Sequence, residues 1–238
     1  MTMLQDSARA TKLTVGYGNN EVLGPVDFAL RPGVTALLGR NGSGKTTLMR
    51  TLCGIIPALE GETTVLGSEV SDGSPVRTRI GYLGHESALA AALTVQENLR
   101  FWESVTATYP DVTLLSTEKL VDRFDLADLM GKKVRQLSRG QRQRVDLARL
   151  AMTDPHFVVL DEPLTGLDPV YAARTRELLR GWGEERTVLY STHSVPEALE
   201  LAARFLVISG ARLVSISADS EGTEVTEQMI LEVLEEAP

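Results

Sequence analysis

The chain has 238 residues, 43% of them hydrophobic, which suits one large α/β domain or a core with a small insertion. With 24 Lys and Arg against 32 Asp and Glu, the formal net charge is −8; this argues against a general nucleic-acid binder, and no nucleic-acid partner is expected. The one cysteine, Cys53, excludes an intrachain disulfide, fits a reducing compartment and reads as a buried helix residue.

In chain order, "MTMLQDSARA" lacks the basic segment and apolar core of a secretory leader, so none is expected. Short strands follow in "KLTVGY", "VDFAL" and "VTALLG", separated by Gly- and Pro-rich turns. The last runs into "RNGSGKTTLMRTLCG", a helix that Gly54 and Pro57 should end. "RIGYLG" at 79–84 is a further strand. Thr94 then caps a helix in "VQENLRFWESV", with Val95, Leu99 and Trp102 on one face, and "STEKLVDRFDL" holds another helix. Residues 85–145 therefore read as a helical insertion, and the α/β pattern resumes at about 146. "FVVLDEP" is a continuous apolar run ending in acids, as expected of a central parallel strand with function at its C-terminal end. "RTVLYSTH" and "ARFLVIS" are strands, "VPEALELA" a helix between them, and "EVTEQMILEVLEE" an acidic terminal helix with a solvated face. No apolar run approaches the roughly 20 residues of a spanning helix, so a membrane role would need a partner.

"GRNGSGKT", Gly39 to Thr46, matches G-x-x-x-x-G-K-[ST] in full, with a strand before it and a helix after. Gly39, Asn41, Gly42, Ser43 and Gly44 let the backbone wrap a phosphate chain with inward N–H groups, and Thr47 continues the cradle. Lys45 would reach the outer phosphates, and Thr46 would ligate Mg²⁺. Asp161, at the end of the apolar strand, is placed to support Mg²⁺, and Glu162 to orient and deprotonate a water. No N-K-x-D stands in the sequence for guanine.

A second anion-directed stretch, "LSRGQ" at 137–141, lies between the phosphate loop and "VVLDEP". It resembles the L-S-G-G-Q motif of ABC-transporter ATPases, with Arg139 departing from the usual residue. The resemblance spans nearly the whole chain. Tyr17 resembles the aromatic residue that stacks on adenine, Asp168 in "LTGLDP" the acid of the D-loop, and His193 in "STH" the switch histidine that would steady a water with Glu162. The resemblance implies a P-loop NTPase (RecA-like) α/β core, about 1–84 and 146–238, with an N-terminal antiparallel β subdomain and an inserted helical subdomain. It also implies ATP and Mg²⁺ as cofactors and a second ATPase subunit, identical or related, paired head to tail. Ser138, Gly140 and Gln141 would then contact the nucleotide bound by that partner. Permease subunits encoded separately would hold the chain on the cytoplasmic face of the membrane.

The family places a Gln after the "GYL" strand, where this chain has His85. His85 is expected either to meet Mg²⁺ and water or to line the hinge into the helical insertion. "YLGH" with "LTVQENLRF" resembles drug-, haem- or polysaccharide-export ATPases, and the short tail favours an exporter over a sugar importer. The alternatives are a soluble ABC ATPase of iron–sulfur cluster assembly or another non-transport machine, and a small-molecule kinase; "LSRGQ" and "STH" speak against the kinase.

Overall fold

In the computed structural model, residues 6–71, 73–109, 112, 114–218 and 224–235 are described; the leader reading falls partly on residues 1–5, outside them. The first half of the chain forms β1 (Ala8–Tyr17), β2 (Asn20–Leu30), β3 (Gly33–Gly39), α1 (Lys45–Leu52), β4 (Glu60–Val65), β5 (Ser68–Glu69), β6 (Ile80–Leu83), α2 (Val95–Thr106) and α3 (Thr117–Arg123). The second half forms α4 (Arg139–Ala151), β7 (Phe157–Leu160), α5 (Pro169–Glu185), β8 (Thr187–Thr192), α6 (Val195–Leu201), β9 (Arg204–Ser209), β10 (Arg212–Ser217) and α7 (Glu227–Glu235).

Two sheets result. One is antiparallel, in the order β2-β1-β4-β5. The other runs β10-β9-β3-β8-β7-β6; its strands are parallel except for β10, which pairs antiparallel with β9 at the edge. The parallel strands are mostly apolar and buried because both of their faces are covered. Successive side chains of a strand point to opposite faces, and the core divides accordingly. Leu37, Phe157, Val159 and Leu189 meet α1 and the antiparallel sheet, while Ala36, Leu38, Val158, Leu160 and Tyr190 face the other way, toward α5, α6 and the helical segment. The expected core, β subdomain and helical insertion are therefore all present as elements.

Local signals explain the helix starts. Thr94 accepts a bond from the Glu97 N–H at 3.2 Å, and the Glu97 carboxylate accepts from the Thr94 N–H at 2.7 Å, a reciprocal cap. Val95 and Leu99 are fully buried, and Trp102 packs against the same core. The expected resumption of the core at residue 146 falls inside α4. Val145, Leu147 and Ala148 share one apolar cluster with Leu99, Leu120 and Val158, so packing is continuous across that point. Cys53 is 4% exposed at the C-terminal cap of α1, and burial pushes its thiol up, away from reactivity. The terminal helix α7 is less solvated than its acidity suggests, for Ile230 is fully buried and Val233 and Leu234 pack on the core.

Candidate functional site

The strand β3 ends in the phosphate loop, and α1 begins at its far side. Gly44 caps α1 with φ of 98°, and Gly42 has φ of 81° with open space where a Cβ would stand. Both are left-handed conformations that a side chain would strain. No side chain caps the α1 N-terminus, so its orphan N–H groups are turned toward the loop. Ser43 Oγ is buried with no hydrogen-bond partner. An uncapped helix start, an open glycine cradle and an unpartnered hydroxyl suit a phosphate chain.

Lys45 Nζ donates to the carbonyls of Gly39 at 2.7 Å and Arg40 at 3.2 Å, and so ties the loop across its mouth. Burial pulls the Lys45 ammonium down, and the nearby Glu162 and Asp161 carboxylates pull it back up. Thr46 Oγ1 donates to Asp161 Oδ2 at 2.7 Å, a bond across 115 residues of sequence. The adjacent parallel strands β7 and β8 produce the next contacts. Ser191 Oγ donates to Asp161 Oδ1 at 2.6 Å and accepts from the Glu162 N–H at 2.8 Å. Glu162 itself sits at φ of 51°, a conformation costing on the order of 1–3 kcal/mol that persists where surrounding bonds hold it. Its Oε1 lies 3.5 Å from His193 Nδ1, and the His193 side chain is 59% exposed.

A cleft of about 410 Å³ is lined by Gly42, Lys45, Thr46, His85, Asp161 and Glu162, among others, and Asn41, Ser43, Gly44 and Thr47 belong to the same wall. His85 therefore shares the space of the phosphate loop, though it follows a different strand. His193 lines the neighbouring concavity with Gly39, Arg40 and Asn41. Tyr17 is outside the cleft, at the end of β1 and 48% exposed. Among the described residues no three His, Cys, Asp or Glu side chains form a metal-holding cluster, so a cation here would rely on Thr46, one or two carboxylates and the phosphates themselves, which is how Mg²⁺ is commonly held.

The second anion-directed stretch lies elsewhere. Ser138 caps α4: its Oγ accepts from the Gln141 N–H at 3.2 Å, and Gln141 Oε1 accepts from the Ser138 N–H at 3.1 Å. Asp168 caps α5 by accepting from the N–H groups of Val170 and Tyr171, each at 3.1 Å. Gly140 adjoins this turn, since a Cβ on it would lie 3.5 Å from Leu167 and 3.9 Å from Asp168. Ser138, Gly140, Gln141 and Asp168 thus form a second group, none of them lining the phosphate cleft. Sequence reading did not single out Ser191. The available signal was a small hydroxyl at the end of an apolar strand, but its pairing with Asp161 depends on β7 and β8 being neighbours.

A larger concavity, about 830 Å³, lies beside β6 and α2; it shares no lining residue with the phosphate cleft and is lined by Tyr82, Trp102, Tyr109, Arg149 and Leu150, among others. Arg149 donates to the Tyr82 carbonyl at 3.2 Å and lies 5.0 Å from the Trp102 ring centre. Among the described residues no helix is long and apolar enough to cross a membrane.

Comparison with known proteins matches residues 23–165 to the family described as ABC transporter. A daunorubicin resistance ATP-binding protein of Streptomyces coeruleorubidus is 37% identical over 225 residues, covering 93% of this chain and 71% of that protein. A sulfate/thiosulfate import ATP-binding protein of Mycolicibacterium paratuberculosis is 35% identical over 212 residues; these are 86% of this chain but only 58% of that relative. In fold, the chain is similar to the solved ATP-binding subunit of an ABC transporter, with a TM-score of 0.80 at 24% identity, over 95% of this chain and 98% of that one. It is also similar to cbiO1 of Clostridium perfringens, described as part of the ABC transporter complex cbiONQ, with a TM-score of 0.72 at 25% identity and 88% of each chain covered.

Proposed function

This chain belongs to the ABC transporter family, and on that premise we propose that it is a subunit that binds and hydrolyses ATP to drive transport. It would work paired with a second ATPase subunit, beneath separate membrane permease subunits on the cytoplasmic face. One observation carries the ATPase reading. Thr46, Asp161, Ser191 and Glu162 form an unbroken hydrogen-bonded chain at the rim of a phosphate loop, which places two carboxylates beside it. One acid serves a cation and the other a water.

In this reading the loop N–H groups from Asn41 to Thr47, with Gly39 at the base, receive the phosphates, and Lys45 turns from the Gly39 carbonyl to the outermost one. Thr46 and Asp161 would hold Mg²⁺, which when bound would neutralise phosphate charge. Glu162 orients the attacking water and takes its proton, an effect typically worth about 10²–10⁴ in rate. His193, already beside Glu162, steadies that water, and His85 lines the same cleft. Tyr17, about half exposed at the end of β1, supplies a platform for adenine. Ser138, Gly140, Gln141 and Asp168 serve the nucleotide of the paired subunit; their position outside this chain's own cleft supports that assignment.

The groove beside Tyr82, Trp102 and Tyr109 is the proposed seat of the permease. Its floor at Tyr82 is three residues from His85, so a load on the groove reaches the cleft through one short segment. Export is the proposed direction, because resistance to a compound, named for the daunorubicin relative, is what outward transport provides. The sulfate-import relative weighs the other way at similar identity, and ATP-driven uptake of cargo into inverted vesicles decides between them.

The ATPase reading is tested by nucleotide titration and phosphate release. Lys45→Ala should lose tight ATP binding. Glu162→Gln should keep binding, lower turnover by at least about 10² and accumulate a paired, ATP-bound form. Normal binding by the first variant or full turnover by the second would contradict the proposal.

A further inference from the structure

Arg139 is at odds with its position. It opens α4, and a cation in the first turn of a helix opposes the helix dipole. Among the described residues it has no ion pair and no side-chain hydrogen bond to offset this. Its guanidinium lies instead beside the open side of Gly166. That glycine has φ of +73°, and a Cβ built on it would lie 3.0 Å from Arg139 Cζ and Nη1 and 3.1 Å from Nε. Near-equal distances to three atoms of one planar group mean that the guanidinium turns a face toward the space a side chain at 166 would fill. A Cβ at 166 would crowd the guanidinium, and the left-handed backbone there favours glycine.

The contact is one of four on a single helix face. Gly140 adjoins Leu167 and Asp168. Gln143 Nε2 donates to the Pro163 carbonyl. The Arg144 guanidinium lies 4.7 Å from the Tyr171 ring centre and pairs with Asp125 at 3.1 Å. Positions 139, 140, 143 and 144 are neighbours on a helix surface; all of them face the segment 163–171, and Gln143 and Arg144 contact it through their side chains. That segment begins at the residue after Glu162.

We propose that Arg139 is a positioning residue: stacked on Gly166, and with Gln143 bonded to Pro163, it fastens the N-terminus of α4 to the turn that follows the phosphate site, so that the two move as one body. The inference rests on the ATPase reading above. In a head-to-tail pair, the cleft of one subunit would be joined through this clamp to the α4 end that serves the other nucleotide. Occupancy of one site is thereby coupled to the other, the linkage that makes two sites cooperative.

The test is turnover against ATP concentration for the full chain, Arg139→Ala, Arg139→Lys and Gly166→Ala, with a fluorescent ATP analogue titrated into each protein under dilute conditions and a melting curve as the folding control. The wild type should show a Hill coefficient rising toward about 2, the number of sites. Arg139→Ala should fall to about 1 with analogue binding within about 2-fold of wild type. Arg139→Lys should resemble Arg139→Ala, because an ammonium keeps the charge but has no flat face to stack. Gly166→Ala should give the same loss of cooperativity, and combining it with Arg139→Ala should add nothing further.

Unchanged cooperativity in Arg139→Ala, or a non-cooperative wild type, would overturn the clamp while leaving the ATPase reading intact. Full rescue by Lys would also overturn it, since charge would then be the cause. A wild-type chain that neither binds nor hydrolyses ATP would remove the ATPase reading itself, and the clamp with it.

Discussion

At the residue scale, the account turns on how two adjacent acids come to differ. Asp161 is buried at the end of β7 and held by two hydroxyls, whereas Glu162 is turned out by its left-handed backbone toward His193. Ser191 makes the difference, because it binds the side chain of one and the backbone N–H of the other. Ser191→Ala should therefore cost about 1–3 kcal/mol from the bond lost to a buried carboxylate. Turnover should drop roughly 10–100-fold through displacement of Glu162, with ATP binding nearly kept. Denaturant melts and steady-state rates check this, and a variant with wild-type kcat would show that Glu162 is held by something else. The phosphate loop and both acids were legible because each lies in one contiguous string with a strand in front. Ser191 was not, since its meaning depends on which strand lies beside β7, and spacing along the chain is silent about that.

At the element scale, amphipathic pattern decided what could be read. Helix α2 announced itself through its cap at Thr94 and through Val95 and Leu99. Helix α5 did not, although it has 17 residues. Its buried face is Ala172, Thr175, Leu179 and Trp182, so half of the inward positions are small or polar and the apolar period is faint. Strand β4 was hidden likewise, with only Thr63 and Val65 buried. Helix α4 joins the insertion to the core, and Asp146 anchors it by accepting from the Ala88 N–H at 3.3 Å, three residues beyond His85. Burial raises the Asp146 carboxyl, against the opposing pull of Ser87, Arg149 and the Ala88 N–H. A carboxyl raised in the folded state adds stability that is full below its unfolded value, near 3.9, and is lost as pH rises through the folded value. Relative to Asp146→Asn, the wild type should thus become more stable as pH falls from neutral toward about 4. Urea midpoints at a series of pH values check the sign, and a difference that shrinks on acidification would contradict it.

At the scale of the whole molecule, one chain carries two residue groups that do not meet, which the proposed function reads as two half-sites. The phosphate cleft lies at the C-terminal ends of β3 and β7, and the Ser138 cap lies at the start of α4, joined to it through the turn that Arg139 clasps. That separation makes sense for a subunit completed by another subunit, and the groove at Trp102 and Tyr109 for one that a permease loads. The motif order indicated the P-loop core with its helical insertion through family resemblance. The sheet order β10-β9-β3-β8-β7-β6 could not be read from the strands alone, because continuous apolar strands carry no record of their neighbours.

The most direct test of the transporter account is to extract the tagged native chain in mild detergent and identify what stays bound in fixed proportion. The account predicts a polytopic membrane protein at constant stoichiometry, released when Tyr109 in the groove is replaced by Asp. Retention of soluble partners alone, with no membrane protein, would contradict it and move the chain to an assembly ATPase.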